Sequence, residues 1–277
     1  MKKILTAATL AAVALPALLA SCSQDRTKAA SEEGISEFAV DQTVKSAEKN
    51  YLAVFGEDTA YYQKSTVIHW PDRIGQADLT ALRDTLMSYC YDVKTGDLNP
   101  AIKTYLADTL SVSGFNPTPI DSLPDDAAEG RVWYDYTSAT VLEINSDYAT
   151  YEVTQSSYLG GAHPMTVTRP FTYDLAGGRV LTVADLFVPG STDALLTVIR
   201  ETLAQQYNIR PSQLVMAGIN VEDNIGTPYL MGGAVVFHYN PYEIAPYALG
   251  SIDATVYPWA LEGLLTPEAK TLLDRQF

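Results

Sequence analysis

The chain has 277 residues, with 18 lysines and arginines against 33 aspartates and glutamates, for a formal net charge of −15. So acidic a chain disfavours nucleic acid and anionic lipid headgroups as partners, since both would be repelled at range. The charge suits a cationic partner, and equally a chain that carries charge only to stay soluble.

The N-terminus reads as a targeting segment. Lys2 and Lys3 form a short positive region, Ile4 to Leu19 is almost wholly apolar, and Leu19-Ala20-Ser21-Cys22 follows. This is a secretory signal peptide over residues 1–21 that ends in a lipobox, with Cys22 as the lipidated residue. The alternative is an ordinary signal peptide with a chance cysteine. Ser23, rather than aspartate, follows Cys22; in its likeness to Gram-negative sorting signals this points to the outer membrane, on its periplasmic or surface face. Loss of Lys2 and Lys3 leaves 16 basic against 33 acidic residues, a net charge of −17. No later run approaches the ~20 apolar residues that a spanning helix needs. The expected membrane contact is therefore the N-terminal lipid alone.

Residues 22–34, polar and small, read as a tether. Two small domains are expected beyond it, residues 35–130 and 131–277. Structure begins near Ile35, and Tyr61 to Pro71 mixes aromatic and β-branched residues in a strand that proline ends. Leu79, Leu82, Leu86 and Tyr89 make one helical stripe with Asp78 as its cap, and Cys90 continues that stripe as a buried thiol. With Cys22 lipidated, Cys90 lacks a disulfide partner. A shorter helix follows Asn99-Pro100. Residues 116–130, rich in proline and aspartate, form a loop.

The character then changes. VWYDYTSATVLEIN, YATYEVTQSSY and MTVTRPFTYDL alternate polar and apolar residues, which predicts an antiparallel meander. Ser191 to Tyr207 carries Leu196, Ile199 and Leu203 on one helical face. GGAVVFHYN and SIDATVYP read as strands, and the last residues as helical turns. Strand runs with separate helices define an α+β fold: an antiparallel sheet meander packed with a few helices in two sub-domains.

The chemistry-bearing candidates are few. The three histidines, His69, His163 and His238, lack zinc-site spacing, so neither metal nor cofactor is expected. No Gly-x-Ser-x-Gly elbow accompanies them. His163 sits in Tyr158-Leu159-Gly160-Gly161-Ala162-His163-Pro164. One reading makes it catalytic, with Ser156, Ser157 or Thr166 as nucleophile. The other makes this a fold corner: Gly160 and Gly161 supply positive φ, Pro164 fixes the exit, and His163 locks the turn through both ring nitrogens. The second loop, NPYEIAPYALG, is stiffened by Pro241 and Pro246. Tyr242, Glu243 and Tyr247 are its contact candidates, beside Tyr158 and His163 from the first. The alternative packs both tyrosines on the sheet and has Glu243 cap a short helix starting at Pro241.

YLGGAHP, FTYDLAGGRVLTVADLF and VVFHYNPYEIAPYALG, in this order and spacing, resemble the C-terminal domain of RsiV-like proteins. Residues 35–130 more loosely resemble a smaller domain also found attached to polysaccharide deacetylases. The best-understood member of that family is an anti-sigma factor whose extracellular part binds lysozyme. The resemblance therefore implies recognition of an extracytoplasmic ligand, with lysozyme or another cationic wall-active protein as the sharpest candidate. This chain departs from that member in lacking a sigma-binding segment and a transmembrane helix, so anti-sigma activity is not expected. The rival expectation is an enzyme or accessory factor acting on cell-wall glycans such as peptidoglycan, which the deacetylase-associated module implies.

Overall fold

The computed structural model describes residues 38–274, apart from residues 56, 57, 95, 125, 126 and 128–131. The signal segment 1–21, Cys22, the tether 22–34 and the boundary at 130–131 lie outside the described residues. The fold is α+β, with two sheets and separate helices.

Seven strands form the larger sheet in the order β3-β1-β2-β4-β5-β6-β7. They are β1 Val40–Phe55, β2 Asp58–Ile74, β3 Thr118–Ile120, β4 Val132–Ile144, β5 Tyr148–Tyr158, β6 Met165–Asp174 and β7 Arg179–Val180. The predicted meander is β4-β5-β6, antiparallel throughout. β2 and β4 pair in parallel from Tyr61↔Val132 to Ile68↔Ala139, so strands from both sides of residue 131 share one sheet.

Proline 71 does not end its strand. β2 continues to Ile74 past a bulge opposite Asp41 and Gln42. The physical reason is that β4 accompanies β2 only as far as Ile68. The carbonyls of Pro71 and Asp72 instead accept hydrogen bonds from the guanidinium of Arg83, at 3.0 and 2.9 Å. The missing N–H of Pro71 faces no ladder there.

Arg83 belongs to α1 Thr80–Tyr91, which with α2 Leu98–Ala107 covers one face of this sheet. Helix α1 starts after Leu79, and Asp78 accepts the backbone N–H of Thr80 at 2.9 Å. Leu82, Leu86, Met87 and Cys90 point into a core completed by Tyr151, Val153 and Phe171 of the sheet. Burial pushes the Cys90 thiol up to about 12.

The smaller sheet has the order β10-β9-β8, from β8 Thr227–Met231, β9 Ala234–Tyr239 and β10 Ile252–Val256. Its core takes Leu196, Ile199 and Leu203 from α4 Thr192–Gln206 and Ala269 and Leu273 from α5 Pro267–Asp274. The four-residue turn α3 Val183–Leu186 adds Leu186, with a capping box between Thr182 and Asp185.

Side-chain alternation places Thr150 of β5 and Thr172 of β6 on the sheet face opposite α1. There they meet the free edge of β8. The Thr150 hydroxyl donates to the Leu230 carbonyl at 2.8 Å, and the Leu230 N–H donates to the Thr172 hydroxyl at 2.8 Å. Two buried hydroxyls thus take the place of a neighbouring strand and join the sheets without orphaning the edge of β8.

Candidate functional site

The site is assembled by two loops far apart in sequence. The first joins β5 to β6 and spans residues 159–164. Gly160 and Gly161 take φ of +88° and +107°, a region that side chains disfavour. The Tyr158 hydroxyl donates to the Gly161 carbonyl at 3.1 Å, closing the loop on itself, while its ring packs beside Tyr134.

The second loop leaves β9 at Asn240. The Glu243 carboxylate accepts the Asn240 N–H at 2.9 Å, the Glu243 N–H donates to the Asn240 carbonyl at 3.1 Å, and the Tyr242 N–H donates to the Ala245 carbonyl at 3.0 Å. These bonds form a tight turn, not the helix considered at Pro241; the first helical turn after it is the 3-10 segment Tyr247–Leu249. Tyr242 itself is forced to φ +73°, which for a bulky residue costs about 1–3 kcal/mol. Glu243 is therefore spent on the turn that holds Tyr242 in this conformation.

The two loops meet at His163. Its ring stacks on Tyr247 with centroids 3.6 Å apart and 15° between planes. The Tyr242 hydroxyl pairs with Nε2 of His163 at 3.2 Å, and Nδ1 pairs with the Pro164 carbonyl at 2.9 Å. Both ring nitrogens are engaged, but one reaches across to the other loop instead of locking only its own turn. The Nδ1 contact to a carbonyl requires the proton there, which leaves Nε2 to accept from the tyrosine. His163 is exposed, and Tyr242 is 56 % exposed. Ser156 and Thr166, named above as possible nucleophiles, bond to each other at 2.8 Å.

Asn240 holds this arrangement to the large sheet, and sequence reasoning did not single it out. Its side-chain oxygen accepts the Thr168 N–H at 2.6 Å and its amide nitrogen donates to the Thr168 carbonyl at 3.0 Å. Beyond β6, β7 pairs only with Tyr173 and Asp174, so the amide fills a place no strand occupies. One signal was available: an asparagine directly before a proline, at the end of an apolar strand, can carry a backbone-like amide into a turn.

The histidine of β9 makes a different pair. His238 is almost fully buried on β9, and its Nδ1 lies 2.8 Å from the Asp253 carboxylate on β10, its register partner. Burial alone would lower the pKa of this imidazole, but the hydrogen bond and charge of Asp253 outweigh burial and raise it. Its Nε2 faces the Asn240 side-chain oxygen at 3.5 Å, beyond good hydrogen-bond geometry. Among the described residues no group of three or more His, Cys, Asp or Glu side chains could hold a metal ion.

The arrangement is a cluster of aromatic groups on an α+β scaffold, His163 and Tyr242 exposed and Tyr247 half-buried, held by backbone hydrogen bonds. Comparison with known proteins places the second loop inside a family domain. The DUF3298 model, described as a protein of unknown function, matches residues 184–259, from α3 to the turn after β10. A crystal structure of a DUF3298 family member from Bacteroides fragilis superposes with a TM-score of 0.68 at 18% identity, covering 87% of this chain and 99% of that one. A DUF3298 family protein from Pseudomonas aeruginosa gives 0.56 at 19% identity, covering 85% and 98%. At these identities the likeness concerns the fold. Esterase Rv3036c of Mycobacterium tuberculosis is 30% identical over 100 residues, which is 35% of this chain and 44% of that protein. The chain thus spans under half the length of this curated relative.

Proposed function

We propose that the protein is a lipid-anchored recognition module of the bacterial cell envelope, without anti-sigma activity, that binds an extracytoplasmic partner through the surface built by His163, Tyr242 and Tyr247. The observation that carries this reading is the stacking of His163 on Tyr247. Two loops are held rigid at some cost in backbone strain, and aromatic groups so fixed lose little entropy on binding. The net charge of −15 and the resemblance to RsiV-like proteins favour a cationic wall-active partner, lysozyme first among them. Cys22 supplies the lipid in this reading, and the outer membrane is the site of anchoring.

The test is a titration of the full chain with lysozyme at low and at physiological ionic strength. Saturable binding that weakens with salt is expected, with a loss of about tenfold or more for His163→Ala. No binding at low salt would refute lysozyme as the partner.

A hydrolase reading has two observations behind it. The contact between His238 and Asp253 would suit a base and its orienting carboxylate, and a partial relative is named an esterase. The nucleophile is the missing part, since Nε2 of His238 points at an amide oxygen. Hydrolysis of p-nitrophenyl acetate or of peptidoglycan fragments, abolished by His238→Ala or His163→Ala, would favour this reading over recognition.

A further inference from the structure

The large sheet carries a second feature, apart from the loop cluster. Helix α1 covers the cross-strand rung Val141–Tyr151–Phe171, and in the next rung, Ala139–Val153–Arg169, the arginine lies over the Tyr89 ring at 4.7 Å. The same face then continues outward by two more rungs, Thr137–Gln155–Val167 and Asp135–Ser157–Met165, in which Thr137 is buried while Gln155, Val167 and Met165 are exposed. Together they floor a concavity of about 350 Å³, within the range of about 300–1,000 Å³ typical of small-molecule sites. Tyr105 of α2 forms its wall.

The chemistry of this shelf is divided. Val167 and Met165 are 41 % and 47 % exposed, an apolar strip left open beside the Tyr105 ring. Opposite them stand a carboxylate, an amide and hydroxyls. Asp135 is held in place from the β2 side of the shelf: the hydroxyl of fully buried Tyr62 and the Ser111 hydroxyl, at 3.2 Å, both donate to its Oδ2. Buried Lys64 is the register partner of Asp135 on β2; burial lowers its pKa against the opposing charge of Asp135, and its ammonium donates to the Asp108 carbonyl at 2.9 Å and sits 4.3 Å from the Tyr105 ring centre. Burial, with Asp135 adding to it, pushes the Tyr105 phenol up to about 12, and its hydroxyl is turned inward to the Ser65 carbonyl at 3.4 Å, leaving the ring as the wall.

We infer that this shelf is a saccharide-binding site. A pyranose ring presents an apolar face of C–H groups and a rim of hydroxyls, which matches an apolar strip beside one fixed carboxylate, one amide and a hydroxyl. Lys64 disfavours a cationic ligand, because it stands opposite Asp135 in the β2–β4 register and a cation bound at that carboxylate would meet its side chain. Asp135 then serves as a hydrogen-bond acceptor for hydroxyls, and Ser157 and the side-chain oxygen of Gln155, whose amide nitrogen donates to the Tyr89 carbonyl at 3.3 Å, extend the rim. This site lies beyond the recognition surface proposed above and does not depend on it.

The test titrates the full chain with chitotetraose, cellotetraose and maltotetraose by calorimetry, with ligand-observed saturation-transfer NMR. At least one is expected to bind, with affinity reduced about tenfold or more by Val167→Arg and by Asp135→Asn, and unchanged by Trp259→Ala. Val167→Arg fills the exposed floor without touching the buried network beneath Asp135, so its folding, read by circular dichroism, stays separable from binding. The inference is overturned if none of the three binds at ~10 mM. It is also overturned if both shelf variants bind as the parent does, or if trilysine binds there and the saccharides do not.

Discussion

Asn240 gives the sharpest test of how the two loops around His163 are held. Asn240→Ala removes two hydrogen bonds to the backbone of Thr168, at 2.6 and 3.0 Å, and leaves that N–H and carbonyl without the amide that stood in for a strand. At about 0.5–1.5 kcal/mol net for each bond, the loss is about 1–3 kcal/mol. For a domain of this size each kcal/mol moves the melting temperature by roughly 2–4 °C, so Tm should fall by about 2–12 °C. The same substitution frees the start of the loop carrying Tyr242 and Tyr247, so hydrogen exchange at Thr168 and across residues 241–247 should rise together. Differential scanning calorimetry reads the first quantity and exchange mass spectrometry the second. An unchanged Tm with unchanged exchange would refute the reasoning, since water or a shifted backbone would then replace the amide at no cost.

Three further outcomes are expected. Gly226 sits at φ +73°, and a Cβ there would lie 2.7 Å from the His238 carbonyl oxygen and 2.9 Å from the Tyr239 ring. Gly226→Ala should therefore cost at least about 1–3 kcal/mol from the backbone alone, seen as a lower urea midpoint. The raised pKa of His238 means that its pair with Asp253 stabilises the fold fully below the ordinary value of 6.5 and loses that contribution as pH rises through the folded value. The Tm difference between the parent and Asp253→Asn should then be larger near about pH 5.5 than near about pH 8.5, and an equal difference at both would count against the pair. The Cys90 thiol, buried and pushed up to about 12, should resist alkylation in the native protein at about pH 8 and react on unfolding in urea. Rapid native labelling would show that α1 opens.

Much of the architecture is written locally. Period-two alternation in VWYDYTSATVLEIN and YATYEVTQSSY dictates the meander, because a one-residue slip would exchange the two faces of the strand and turn Tyr151 and Val153 away from the core under α1. The stripe Leu82, Leu86 and Cys90 dictates α1 in the same way. The glycines of the first loop and the prolines of the second announce where the chain must turn. The left-handed Tyr242 is not announced, because no local preference produces φ +73° in a tyrosine; Glu243 and the Ala245 carbonyl impose it.

The continuation of β2 past Pro71 was not legible for a related reason. Whether a missing N–H matters depends on whether a strand lies beside it, and β4 has already parted from β2 there.

By itself, then, the sequence determined the α+β class, helices α1, α2, α4 and α5, the meander strands, and the two loops that bear the candidate residues, since each follows from periodicity or from backbone restriction at glycine and proline; β3, within residues read as a loop, and α3 and β8 were not legible. Only the tertiary structure decided that His163 stacks on Tyr247, 84 positions further along, that Asn240 completes the edge of β6, and that Asp135 lies on an open shelf beside Tyr105. Those contacts depend on which strands become neighbours and where the helices stop covering them, and pairing across such distances leaves no local periodicity to read.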